Sequence, residues 1–122
     1  MEFKENKPIY LQLVDKICDG ILTGLYGEDV RILSVREFAA QVEVNANTVM
    51  RTYDYLQQAG VIYNKRGIGY FVSPGAMESI KNERMTRFMD DEMDAFFSQL
   101  TLLGITPETL CDMYTKYYNK NK

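Results

Sequence analysis

A mainly α-helical chain with one small β-hairpin is the fold class this sequence predicts, and three observations carry it. Two amphipathic stretches follow each other across Val44, each headed by a helix-capping residue. Two β-prone segments then flank the glycine-punctuated run Lys65-Arg66-Gly67-Ile68-Gly69. Beyond Ser73-Pro74-Gly75, apolar residues recur at helical spacing almost to the end. Helix, tight turn, helix and hairpin in that order predict a winged helix-turn-helix over residues 1–75, followed by a two-helix dimerisation tail over 76–122.

Residues 1–7 read as a loose or partly ordered lead-in. Lys7-Pro8 opens the first helix, since proline fits the first helical position, where its missing N–H costs nothing. Tyr10, Val14, Ile17, Cys18, Ile21 and Leu22 mark the buried side, and Gly24 closes the helix. Tyr10 either packs in the core or lines a ligand site, and core packing is favoured. Residues 25–33 form a connector in which Arg31 is either a phosphate contact or a solvated or locally paired arginine.

The next helix begins at Ser34, whose hydroxyl can accept from the free amides of the opening turn while Glu37 reaches back to the Ser34 amide. Val35, Phe38, Ala39 and Val42 then form one apolar stripe. Val44 plugs the turn and Asn45 caps the following helix. Val49, Tyr53 and Leu56 of that helix pack inward, leaving Ala46, Asn47, Thr48 and Arg51 at its exposed N-terminal end. A DNA major groove admits a helix, and its base edges accept small amide, hydroxyl, methyl and guanidinium groups. Asn47 and Thr48 are candidates for base edges or the neighbouring sugar-phosphate, and Arg51 and Arg36 for bases or phosphates. Asn45 and Ala46 complete the set on this helix.

Gly60 ends the helix, as a residue without a Cβ takes the left-handed conformation freely. Val61–Tyr63 and Tyr70–Val72 are the hairpin strands. Lys65 and Arg66 make the tip basic, suited to phosphates or a minor groove, and Gly67 and Gly69 shape it. Taken singly, each of these residues also fits an ordinary cap, turn or solvated face. Their order and spacing favour nucleic-acid binding.

The sequence also resembles the GntR-type bacterial transcriptional regulators. The resemblance runs through Pro8-Ile9-Tyr10-Leu11-Gln12-Leu13, Ile32-Leu33-Ser34-Val35-Arg36-Glu37-Phe38-Ala39, Val44-Asn45-Ala46-Asn47-Thr48-Val49-Met50-Arg51-Thr52-Tyr53, Leu56 to Ile62, and Arg66-Gly67-Ile68-Gly69-Tyr70-Phe71-Val72, covering roughly residues 7 to 75. It implies a DNA-binding winged domain. Leu33 stands where the family usually has proline, and Asp29-Val30 where Gly-Asp is usual, so the connector is expected to lose rigidity. The short tail resembles the YtrA type, which lacks a large ligand-binding domain. That resemblance implies control of nearby ABC-transporter genes.

Composition sets the bounds. The 122 residues, 46% hydrophobic and 25% charged, suit a soluble globule of one domain plus an appendage. A net charge of −3 argues against a protein that coats nucleic acid indiscriminately. Residues 44–72 nonetheless carry Arg51, Lys65 and Arg66 against Asp54 alone, so the local face is basic. Cys18 and Cys111 read as buried thiols with no metal motif, and no bilayer-length apolar run is present, which places the chain in the cytoplasm by default.

The tail carries Met77, Ile80, Met85, Phe88, Met89, Met93, Phe96, Phe97, Leu100 and Leu103 on one predicted helix of about 40 Å. Leu103-Gly104 ends it, and Thr106-Pro107-Glu108 starts a second, with Leu110, Met113, Tyr114 and Tyr117 on its apolar side. This surface exceeds what a small winged domain can cover, so it is read as a homodimer face, a helical hairpin from each subunit making a four-helix unit. Two helices offer too few walls for an enclosed sensor pocket, and any small-molecule effector is unspecified. Histidine is absent and no nucleophile–base pair can be drawn, so neither catalytic residues, metal nor cofactor is expected. The competing class is a winged-helix adaptor that binds proteins without sequence-specific DNA binding.

Overall fold

Helix α1 spans Ile9–Leu22 in the computed structural model, which describes residues 1–122. Pro8 stands one residue ahead of the expected place, as the N-cap, and its carbonyl accepts from the amides of Leu11 and Gln12 at 3.1 and 3.2 Å. The residues before it are pinned, which decides the loose or partly ordered lead-in expected there in favour of order. Gln12 is buried; its amide nitrogen donates to the carbonyls of Lys4 and Lys7, both at 2.7 Å, and its oxygen accepts from the Lys4 amide at 2.8 Å. A buried amide needs partners, and the lead-in backbone supplies them. Phe3 packs on the core and Lys7 pairs with Asp15.

Helix α2, Val35–Val42, opens with a complete capping box: the Glu37 amide donates to Ser34 Oγ at 3.1 Å and the Ser34 amide to Glu37 Oε1 at 2.9 Å. It ends at Glu43, whose φ of +57° is left-handed, a conformation uncommon outside glycine. That reversal starts helix α3, Ala46–Gln58, after only Glu43, Val44 and Asn45. Asn45 caps α3 by accepting the Asn47 amide at 2.7 Å. At its other end Gly60, φ +77°, donates to Gln57 and Val61 donates to Leu56, two bonds that close the final turn's free carbonyls.

The hairpin pairs strand β1, Ile62–Lys65, with β2, Gly69–Val72, in the antiparallel register Ile62 with Val72 through Lys65 with Gly69. Both strands run further towards the tip than β-propensity suggested, leaving Arg66-Gly67-Ile68 as a three-residue loop. The connector adds a third edge: Arg31 bridges to Phe71, and the Ile32 amide donates to the Tyr70 carbonyl at 2.9 Å. Asp29, φ +60°, donates its amide to Val72 at 2.7 Å and accepts the Tyr63 hydroxyl at 3.0 Å. These bonds fix the connector without the proline and glycine usual there.

The chain divides into two compact units, Met1–Glu83 and Arg84–Lys122. In the first, Leu13, Ile17 and Ile21 of α1 meet Phe38 and Val42 of α2, Val49, Tyr53 and Leu56 of α3, and Ile62 and Val72 of the hairpin. Helix α4, Ala76–Phe88, contributes Ala76 and Ile80 to this core. Ile80, expected on the dimer face, is 5% exposed and therefore a core residue. Burying such a side chain stabilises by roughly 1.5–3 kcal/mol, which the winged domain already secures.

The second unit continues from the end of α4 through a π-helical segment, Met89–Met93, where one uninterrupted α-helix was expected, into α5, Asp94–Leu102. The π turn takes an extra residue and so re-phases the apolar stripe. Gly104 and Ile105 close α5 through Thr101 and Leu100, and α6, Pro107–Asn121, begins at a Thr106 cap. No residue of Arg84–Lys122 is buried. Cys111 is accordingly exposed, against expectation, whereas Cys18 is buried in the first unit.

Candidate nucleic-acid interface

Helix α3 divides its residues cleanly. Val49, Thr52, Tyr53 and Leu56 are buried, while Asn45, Ala46, Asn47 and Arg51 are exposed and Thr48 is half-buried. Asn45 spends its side-chain Oδ1 on the Asn47 amide, leaving its side-chain nitrogen for an outside partner. Asn47, Thr48 and Arg51 line an open depression of about 340 Å³ with Pro8, Ile9 and Tyr10 from the start of α1. Arg36 is exposed on α2 and is not among the residues of that depression.

Tyr10 corrects the sequence reading. It is half-buried, and its ring lies under the Arg51 guanidinium, 3.9 Å from centroid to Cζ. Thr52 Oγ1 donates to the Tyr10 carbonyl at 2.9 Å, and Tyr55 meets the Tyr10 ring edge-on at 6.4 Å. Only the position of Tyr10 two residues after Pro8 hinted at this, because its partners lie some forty residues away in sequence.

In the hairpin, Lys65 lies over the Phe71 ring, Nζ 4.8 Å from the centroid, and Phe71 stacks on Tyr63. Arg66 and Gly67 are exposed in the loop, and Gly67 has φ +80° with open space where a Cβ would be. Gly69 has a second role beside the tip-shaping one expected. At φ +143° it begins β2, and a Cβ there would sit 2.7 Å from Arg31 Nε, so the missing side chain makes room for that arginine. Ile68, which the sequence reading passed over, is 59% exposed beside the cations.

The electrostatics are local. Hydrogen bonds from the Ser34 backbone and side chain, helped by the nearby Arg31 charge, hold the Glu37 carboxyl below the usual carboxylate range. Burial pushes the Tyr53 phenol well above the usual tyrosine range. That hydroxyl stays protonated and donates to Leu33 at 2.6 Å.

Of the expected dimer residues, Met77, Met85, Phe88, Met89, Phe96, Phe97, Leu103 and Tyr114 are between 40% and 70% exposed. Met93, Leu100 and Leu110 are half-buried. Phe96 and Phe97 lie 6.1 Å apart by ring centroid.

A short capped helix, a tight left-handed turn, a second helix with polar residues at its free end and a glycine-tipped hairpin define a helix-turn-helix transcriptional regulator of the winged type. No protein-family model matches the chain. The HTH-type transcriptional regulator YhcF of Bacillus subtilis is 32% identical over 111 residues, 91% of this chain and 90% of that protein. The crystal structure of a regulator described as GntR family, from Bacteroides thetaiotaomicron, is 50% identical with a TM-score of 0.77, covering 93% of this chain and 99% of that one. The HTH-type transcriptional repressor YtrA of Bacillus subtilis is 31% identical over 83 residues, 69% of this chain and 64% of that protein. The chain belongs to the GntR family of transcriptional regulators and is YtrA-like; it is not an enzyme. No helix is long and apolar enough to cross a membrane.

Proposed function

We propose that the chain is a homodimeric, sequence-specific repressor that sets one α3 helix from each subunit into successive major grooves on one face of a palindromic operator. The observation that carries DNA reading is the grouping of Asn47, Thr48 and Arg51 around one open depression at the free end of α3. Amide, hydroxyl and guanidinium are the groups that pair with base edges and phosphates. Arg36, Lys65 and Arg66 supply further cations, and Asn45, Ala46, Gly67 and Gly69 let backbone and small groups approach the duplex.

Homodimerisation rests on the second unit. A segment of helices with no buried residue and with Phe96, Phe97 and Leu103 at 45% to 70% exposure does not stabilise itself. A second copy of the same hairpin would cover these side chains and complete a four-helix unit. On this reading the tail expected over 76–122 supplies its dimer contacts chiefly from residue 84 onwards, and the DNA-binding unit expected over 1–75 extends to Glu83, with Ala76 and Ile80 serving the winged core.

Repression is favoured by likeness to YtrA, whose name describes a repressor. Control of nearby ABC-transporter genes follows from the YtrA-type resemblance alone, and such a regulator would act in the cytoplasm. Genomic-fragment selection followed by footprinting tests the reading. Paired protections one helical turn apart are expected, and recovery of no enriched fragment would remove it.

A further inference from the structure

We propose that Tyr10 is a positioning residue for Arg51, so that the first helix, and not α3 alone, sets how the interface reads DNA. The inference deepens the proposed function and rests on Arg51 touching the duplex. Three contacts fix the platform. Thr52 Oγ1 holds the Tyr10 carbonyl at 2.9 Å, Tyr55 packs edge-on against the ring at 6.4 Å, and Arg51 lies over the ring at 3.9 Å. All three partners belong to α3, and Thr52 is fully buried. The ring is therefore fixed by the same helix whose arginine it supports.

A guanidinium held over an aromatic face by its central carbon leaves N–H groups at its rim free to donate. Those are the donors that would meet a guanine edge or a phosphate in bidentate fashion. An unsupported arginine must lose more rotamer freedom when it binds, so the ring lowers the cost of ordering it. Asn47 and Thr48 border the same depression, which places the oriented guanidinium among the candidate base-reading groups.

The test is a double-mutant cycle on a labelled duplex selected by the wild-type protein, with a scrambled duplex of equal composition as control. The proteins are wild type, Tyr10→Leu, Tyr10→Phe, Arg51→Ala and the Tyr10→Leu/Arg51→Ala pair. Tyr10→Leu is expected to weaken selected-duplex binding about two- to fivefold, and to have no further effect once Arg51 is alanine. Tyr10→Phe is expected to restore wild-type binding, since it keeps the ring. Equal losses from Tyr10→Leu with and without Arg51, or a Tyr10→Phe loss as large as that of Tyr10→Leu, would overturn the positioning role and leave the regulator reading standing. A wild type that selects no duplex would instead overturn the regulator reading, and this role with it. Should Tyr10→Leu fail to fold, the Arg51 Nε–H resonance decides the matter. An upfield ring-current shift in both wild type and Tyr10→Phe is expected, and an unshifted resonance would refute the contact.

Discussion

The phenolic hydroxyl of Tyr53 donates to the backbone carbonyl of Leu33 across 2.6 Å, joining the middle of α3 to the residue before the Ser34 cap. Its ring also meets Phe38 of α2 at 6.2 Å and Tyr70 of the hairpin at 4.9 Å. One side chain thus links both helices of the motif, the connector and the wing. Tyr53→Phe keeps the ring contacts and strands the Leu33 carbonyl, so it should cost about 1–3 kcal/mol in urea unfolding. A change under about 0.5 kcal/mol would mean that the bond contributes no more than an ordinary surface contact.

The capping box makes stability depend on pH. Glu37 is held below the usual carboxylate range in the folded chain, chiefly by hydrogen bonds from Ser34. Its contribution is therefore fully present above the unfolded-state pKa of about 4.3 and disappears as pH falls through the lower folded-state value. Glu37→Gln keeps a hydrogen-bonding side chain without the titration. Thermal midpoints of the variant should fall less steeply than those of wild type over that acid window; parallel curves would contradict the assignment.

The two wing glycines should behave differently. Gly67→Ala meets open space and carries only the left-handed backbone cost, about 1–2 kcal/mol. Gly69→Ala meets a backbone conformation, φ +143°, that is nearly exclusive to glycine and also displaces the Arg31 side chain, whose Nε would lie 2.7 Å from the new Cβ, so it should destabilise more. Removing Arg31 in the same chain should recover part of that difference in chemical denaturation. No recovery would show that the clash is not what Gly69 avoids.

Phosphate contacts and base contacts leave different signatures. Arg66→Ala should weaken binding to every duplex and reduce the salt slope by about one unit. Asn47→Ala should instead change base preference at one operator position, by about 1–3 kcal/mol if its contact is bidentate. Titration at several salt concentrations and selection from a randomised operator separate the two. An unchanged slope or an unchanged consensus would remove the corresponding role.

What the sequence makes legible is what short-range spacing encodes. The Ser34–Glu37 box, the Asn45 cap and the Gly60 stop each involve residues within a few positions of one another, and each appears as expected. The apolar stripes of α2 and α3 follow from periodicity in the same way, whereas that of α1 also takes in Leu13, fully buried and not expected there, and leaves Tyr10 half-buried. Long-range partners were not readable: Gln12 gathering the lead-in, Arg31 passing over Gly69, and Tyr10 beneath Arg51 depend on the packed arrangement. Glu43 in a left-handed turn gave no compositional signal, since glutamate has no preference for that conformation. Ile80 fits a helical stripe equally well whether it faces the core or a partner, and periodicity alone does not separate the two.

The central claim is that two copies present their α3 helices together to one duplex. Selection from a randomised duplex pool by the full-length protein tests it most directly. The account predicts enrichment of an inverted repeat whose half-site centres lie about one helical turn, roughly 34 Å, apart. Enrichment of a single half-site, or none over the input pool, would contradict it.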